Sequence, residues 1–223
     1  MRAVCLECVR LARLLFGFFL YALGVVMTIR ANLGLSPWDV FHQGLGGQLG
    51  ISLGMATVLI SVVIVSVAAL LREHVGIGTL GNMLLIGLFV DILMFGGVVP
   101  EAHGVVSGLA MMAGGLIVIG FASFFYIGSR YGAGPRDSLM VVLSRRTGRP
   151  VGVCRIAVES LALFFGWLLG GNAGFGTLIA AFGVGVAVQF VFALMRFDVT
   201  SLRQESILDT IARFRAFLRK GPT

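Results

Sequence analysis

Apolar residues in this chain come in long unbroken runs, not at every second or every third to fourth position. Runs near 12–31, 53–71, 78–97, 105–128, 152–170 and 175–196 are each close to the ~20 residues that carry a helix across a hydrocarbon core. The pattern predicts an all-α membrane protein with six transmembrane helices. A β-barrel would need short alternating segments between polar turns, and a stretch such as VLISVVIVSVAALL (58–71) does not alternate. The first run follows Arg2, Arg10 and Arg13, as a signal peptide does. It is too long for a signal's apolar region and no small-residue cleavage site follows, so it reads as a retained span.

The polar and glycine positions between the runs repeat. Sliding the chain against itself by 98 positions brings Gly34, Pro37 and Asp39 onto Gly132, Pro135 and Asp137. In the same register Gly76, Gly78, Thr79 and Leu80 fall on Gly174, Gly176, Thr177 and Leu178, and Gly50 and Gly54 fall on Gly148 and Gly152. Motifs G-x-x-P-x-D and G-x-G-T-L therefore occur twice, which marks an internal duplication. The first repeat is 1–98, the second 99–198, and a tail follows at 199–223. Each half has three runs and one short segment, 36–50 or 134–148. Such a segment rises only about 21 Å as a helix, too little to span unaided. Its grammar is that of a capped helix: Ser36 or Gly134 as N-cap, proline at the first helical position, aspartate in the first turn, and Gly50 or Gly148 at the end.

Three spans per half is an odd number, so the two halves should be inverted in the membrane. The arginines agree. Segments 1–12, 72–77, 130–151 and 197–223 hold nearly all the Lys and Arg, including Arg72, Arg130, Arg145, Arg146 and Arg149, whereas 32–52, 98–104 and 171–174 hold none. The positive-inside rule then puts both termini in the cytoplasm. It also explains the net charge of +7 in a 223-residue chain that is 58% hydrophobic and only 12% charged, so no nucleic-acid partner is expected. Tail residues Leu202, Ile207, Leu208, Ile211, Phe214 and Leu218 are spaced as in a basic amphipathic helix lying on the inner membrane surface. Cys5 and Cys8 form a bare C-x-x-C with no supporting ligands, and Cys154 reads as a packing residue.

The combination ANLGLSPWDVFHQGL, GIGTL, GAGPRDSLMVVLSRRTGR and GNAGFGTLIAAFGVG, over about 10–196, resembles the bacterial YczE/YyaS/YitT family of multipass membrane proteins. The resemblance implies a protein of the bacterial cytoplasmic (inner) membrane, of a kind often described as transporters. It names no substrate.

Candidate chemistry is confined to a few polar positions. The two G-x-x-P-x-D segments come first, because inverted-repeat transporters aim short or broken helices at a midplane site; they nominate Ser36, Pro37, Asp39, Pro135, Arg136 and Asp137. The alternative is that these residues merely cap two interfacial helices. Asp91 lies deep in the third run with Gln189 as its repeat partner, and intramembrane carboxylates tend to mark function. Arg155 and Glu159, four apart, pair on one helix face and read first as a structural ion pair. Asn82 and Thr79 line a cavity or bond between helices. No metal-ligand cluster, catalytic triad or phosphate loop is present; His42, His74 and His103 are scattered, and G-x-G stands on no βαβ unit. The expectation is a non-enzymatic secondary transporter or permease of a small solute, without cofactor, contacting membrane lipids and open to homo-oligomer formation. The rival is a non-transporting accessory or scaffold protein.

Overall fold

A computed structural model describes residues 2–71, 75–132, 134–197, 205–207, 209–210 and 212, with the backbone alone at 2–6, 137, 138, 141 and 151. It is all-helical among these residues: α1 (Arg2–Arg30), α2 (Pro37–Leu49), α3 (Leu53–Leu70), α4 (Ile77–Phe95), α5 (Val105–Gly128), α6 (Pro135–Thr147), α7 (Val151–Leu168) and α8 (Phe175–Leu194). Five of the described helices, α1 from Glu7, α3, α4, α5 and α8, are long and apolar enough to cross a membrane. The fifth run forms α7, which is as long as α3 but carries Arg155 and Glu159. Large apolar side chains such as Phe95, Val106 and Phe182 stand exposed on the bundle's outside, a surface that lipid accepts and water does not. The expected amphipathic tail lies outside the described residues but for the few noted. Of these, the Glu205 N–H donates to Arg130 O at 2.9 Å and that of Ile207 to Val75 O at 3.0 Å.

The centre of the bundle is the pair α1 and α5. Gly17 abuts Tyr126, Gly24 abuts Gly115 and Ile119, and Gly108 abuts Ala31, so the helices run antiparallel. Small residues let the backbones approach closely, which in lipid substitutes for the hydrophobic drive. The contacts are also reciprocal. Gly17 and Gly115 are 98 apart, as are Thr28 and Tyr126, and Gly17 meets Tyr126 while Gly115 meets Thr28. On one side α4 packs beside α1, with Gly81 against Phe18; on the other α8 packs beside α5, with Gly183 against Leu116. The contacted residues Phe18 and Leu116 are again 98 apart.

The two repeated motifs hold each other. Gly34, at φ +112°, packs on the backbone of Gly174, and Gly132, at φ +124°, packs on that of Gly76. Only glycine takes such angles readily, and only glycine leaves room for the opposing chain. The Gly176 N–H donates to Leu33 O at 2.6 Å and the Gly78 N–H to Tyr131 O at 2.7 Å. Threonine completes the lock: Thr177 Oγ1 accepts from Gly174 N at 2.9 Å and Thr79 Oγ1 from Gly76 N at 3.2 Å, satisfying orphan donors at the starts of α8 and α4. Each G-x-G-T-L thus docks on the G-x-x-P-x-D of the other half.

The short helices form as their grammar dictates. In α2 the Ser36 hydroxyl accepts from Asp39 N, proline is at N1 and Gly50 ends the helix at φ 66°. In α6 Gly134 precedes Pro135 and Gly148 ends the helix at φ 67°. Helix α2 packs on the end of α7, with Gly44 against Gly166 and Leu169. The corresponding α6 packs on α3, where Leu139 joins Trp38, Ile60 and Ile64 in one apolar cluster. On the face where α1 begins, Arg10 donates to Ser129 O at 3.0 Å and Tyr131 Oη to Glu7 at 2.9 Å. Burial and that carboxylate push the Tyr131 pKa up to about 12.

Candidate functional site

Helices α2 and α6 enter the bundle from opposite ends and meet at their N-termini. The guanidinium of Arg136 lies 4.8 Å from the Trp38 ring centroid, a cation–π distance. Trp38 and Arg136 occupy the same place in the two G-x-x-P-x-D copies, so the repeated motifs touch through equivalent residues. Around this contact lies a cavity of about 290 Å³, the lower end of the range for small-molecule sites.

Much of the cavity wall is drawn from both halves at equivalent positions. Pro37 and Pro135, Thr57 and Arg155, Ser61 and Glu159, Thr28 and Tyr126 all line it, each pair separated by 98 residues. So do Asp39, Asn82, Ser123 and Gln189. Both helix starts, Ser36–Pro37 and Gly134–Pro135, line this cavity.

A polar relay runs along the wall. Ser36 Oγ donates to Asp39 Oδ2 at 2.5 Å. Asp39 Oδ1 is 3.4 Å from His42 Nδ1, and Thr57 Oγ1 is 3.1 Å from the same nitrogen. Arg136 Nη2 reaches His42 Nε2 at 3.4 Å. Arginine can only donate, so Nε2 carries the lone pair and Nδ1 the proton. The imidazole is therefore neutral, donating toward Asp39 and Thr57. Thr57 in turn donates to Leu53 O at 2.9 Å. Asp39 is thus engaged within its own helix. Arg136 has no carboxylate at ion-pair distance among the described residues, and Trp38 Nε1 is buried without an acceptor there. Arg155 Nε pairs with Glu159 Oε1 at 2.9 Å.

The structure therefore brings together Ser36, Pro37, Asp39, Pro135, Arg136, Arg155, Glu159 and Gln189 at one cavity. The side chain of Asp137 lies outside the described residues. Asp91 does not line the cavity. Its carboxylate accepts from Ser52 Oγ and, at 2.9 Å, from Gly54 N, fastening α4 to the start of α3. Thr79 is likewise a cap and not a cavity residue. His42, dismissed by sequence as a metal ligand, sits at 0% exposure between Asp39 and Arg136. The legible signal was its position three residues after Asp39 on one short helix. Thr57 and Ser61 were detectable as the repeat partners of Arg155 and Glu159.

The model of a family described as "Family of unknown function (DUF6198)" matches residues 8–193. The chain belongs to this family. It is 36% identical over 176 residues to the uncharacterized membrane protein YczE of Bacillus subtilis, covering 78% of this chain and 81% of that one. An uncharacterized protein of Haemophilus influenzae is 34% identical over 177 residues, 79% of this chain and 80% of its own. The uncharacterized protein YyaS of Bacillus subtilis is 28% identical over 168 residues, 73% and 82% of the two chains. These similarities agree with the resemblance to YczE and YyaS carried by the repeated motifs. No solved structure matches. Family membership thus establishes a bacterial membrane-protein kinship, and the cavity geometry is where function must be sought.

Proposed function

We propose that this protein is a secondary transporter of a small solute, built from two inverted repeats, 1–98 and 99–198, with six spans and both termini in the cytoplasm. The reading is carried by one observation: a cavity much of whose wall is drawn in pairs 98 apart, around the contact of Trp38 with Arg136. A scaffold needs no such shared polar interior. A solute carrier with alternating access needs a site that both halves can reach. Helix α7 counts as the sixth span in this scheme, its Arg155–Glu159 pair lining the cavity.

The cavity's chemistry narrows the solute. Arg136 offers donors that no described carboxylate meets at ion-pair distance, stacked on an indole whose own N–H finds no acceptor among the described residues. Such donors suit a solute carrying an acidic group beside a flat or apolar portion. The volume holds only a small molecule. A thermal-shift screen of the purified protein against a metabolite library tests this. Small acidic solutes should raise the unfolding temperature of the wild type and fail to do so for Arg136→Ala. Absence of any stabilising solute, with the protein folded, would favour the accessory role instead.

A further inference from the structure

The two halves match closely, but at one place they do not. Helices α3 and α4 are closed on each other: a Cβ on Gly54 would collide with Gly87 O and fall 2.7 Å from Asp91 Oδ1, and one on Gly87 would fall 2.5 Å from Gly54 O. The equivalent glycines on α7 and α8 are Gly152 and Gly185. A Cβ on either would meet nothing within 4 Å. Residues Gly185, Val188 and Gln189 line the cavity, whereas their repeat partners Gly87, Val90 and Asp91 do not. Glycine is a poor helix former, and in this arrangement neither Gly152 nor Gly185 needs to be glycine.

We infer that α3–α4 and α7–α8 are two gates to the same cavity, and that the structure holds the first shut and the second open. This rests on the transporter reading and adds the moving parts. In the alternate state α7 closes on α8 through Gly152 and Gly185, as α3 now closes on α4 through Gly54 and Gly87, and the first pair parts. Gly152 and Gly185 are glycine because that second contact requires it. The gates lie at opposite ends of the bundle, since α3 starts at the end where α1 finishes and α7 starts at the end where α1 begins. Opening one and closing the other therefore moves the cavity's access from one face to the other.

The clasp chemistry explains which state is seen. Asp91 ties the first gate with two bonds to a carboxylate, from Ser52 Oγ and Gly54 N, and charge-assisted bonds are the stronger kind. At the second gate the corresponding residues are Gln189, Pro150 and Gly152. Proline brings no hydroxyl and glutamine no charge, so at most a neutral bond to the Gly152 N–H forms there. The first gate closes more tightly, and removing Asp91 shifts the balance toward the alternate state.

Paired spin labels test this without knowledge of the solute. Labels at Met55 and Ile92 report the first gate, and labels at the equivalent Val153 and Phe190 report the second; all four sites are exposed. Electron–electron distance measurements on protein in nanodiscs should give a longer separation for 153/190 than for 55/92. With Asp91→Ala, a new population should appear in which 55/92 lengthens and 153/190 shortens together. Adding Gly185→Ala, whose Cβ meets nothing within 4 Å in the open gate but would clash in a closed one as at Gly87, should remove the shortened 153/190 population and leave the protein folded. Equal distances at the two gates in the wild type, or a 55/92 change in Asp91→Ala with 153/190 unmoved, overturns the inference. Either result would leave solute binding in the thermal-shift screen intact, so the two readings fail separately.

Discussion

Replacing Gly34 with alanine should damage this protein far more than a methyl group on a loop ordinarily does. The new Cβ would sit 2.6 Å from Gly174 N, 2.7 Å from Gly174 Cα and 2.9 Å from Thr177 Oγ1, where carbon contacts normally rest at about 3.5–4.0 Å. Two of those three atoms are backbone and cannot swing aside. Forcing the loops apart belongs with overpacking, about 1–3 kcal/mol. The φ of +112° adds strain of about 1–3 kcal/mol for a residue with a Cβ. Together these give about 2–6 kcal/mol. Gly132→Ala meets Gly76 Cα at 2.8 Å and Thr79 Oγ1 at 2.9 Å, with φ +124°, so its cost should be similar. Gly47→Ala is the control: it lies in α2, nothing stands within 4 Å, and alanine in a helix is about 0.5–1 kcal/mol better than glycine. Unfolding of the purified protein by increasing SDS in mixed micelles, followed by circular dichroism, measures all three. The reciprocal lock predicts two strongly destabilised variants of comparable cost and a control at or above wild type. Wild-type stability for Gly34→Ala, or a large cost at only one of the two glycines, refutes it.

The same lock predicts that Thr79→Val and Thr177→Val each lose a cap to an orphan N–H, costing about 0.5–2 kcal/mol by the same unfolding assay; a cost at neither would show the caps to be idle. Tyr131 is held neutral, with its pKa raised to about 12, so its contribution to stability is whole below about pH 10, the unfolded value, and fades as pH climbs toward 12. Tyr131→Phe should therefore flatten that alkaline decline, and an unchanged decline would assign it to another group. Cysteine labelling tests the inverted topology: on a background lacking native cysteines, a reagent that cannot cross the membrane should reach Glu101→Cys and not Arg146→Cys in intact cells. The opposite outcome ends the inverted-repeat scheme.

Much of the helical layout was legible because its determinants are local. Run length marked the apolar helices, and Ser36-Pro37, Gly134-Pro135, Gly50 and Gly148 fixed both short helices to within a residue. What lay beyond reach were contacts across the duplication. The offset of 98 announced that Gly34 and Gly76 recur, but not that each docks on the other motif's partner, because that needs the antiparallel crossing of α1 and α5. Asp91 stood out as a carboxylate in an apolar run. Its partner Ser52 is 39 residues away, on a helix start that polarity alone would assign to solvent. His42 looked incidental until Asp39 and Arg136 were brought to its two nitrogens. Both helix pairs carry the same two glycines, so their difference in packing could not be read from those positions; the replacement of Ser52 and Asp91 by Pro150 and Gln189 acquires its meaning only once Asp91 is seen bonded to Ser52 and Gly54.

The central claim is that one cavity, shared by both halves, is reached from either side of the membrane in turn. Ser123 lines that cavity on α5, and among the described residues its hydroxyl bonds to its own helix at Ile119 O, 2.9 Å away, so Ser123→Cys leaves the wall intact. With Cys5, Cys8 and Cys154 replaced, this single thiol should be modified by a small membrane-impermeant thiosulfonate applied to sealed right-side-out vesicles and, separately, to inside-out vesicles. Modification from both faces is the predicted result. Labelling from one face alone, or from neither, would mean a static cavity and would contradict the account.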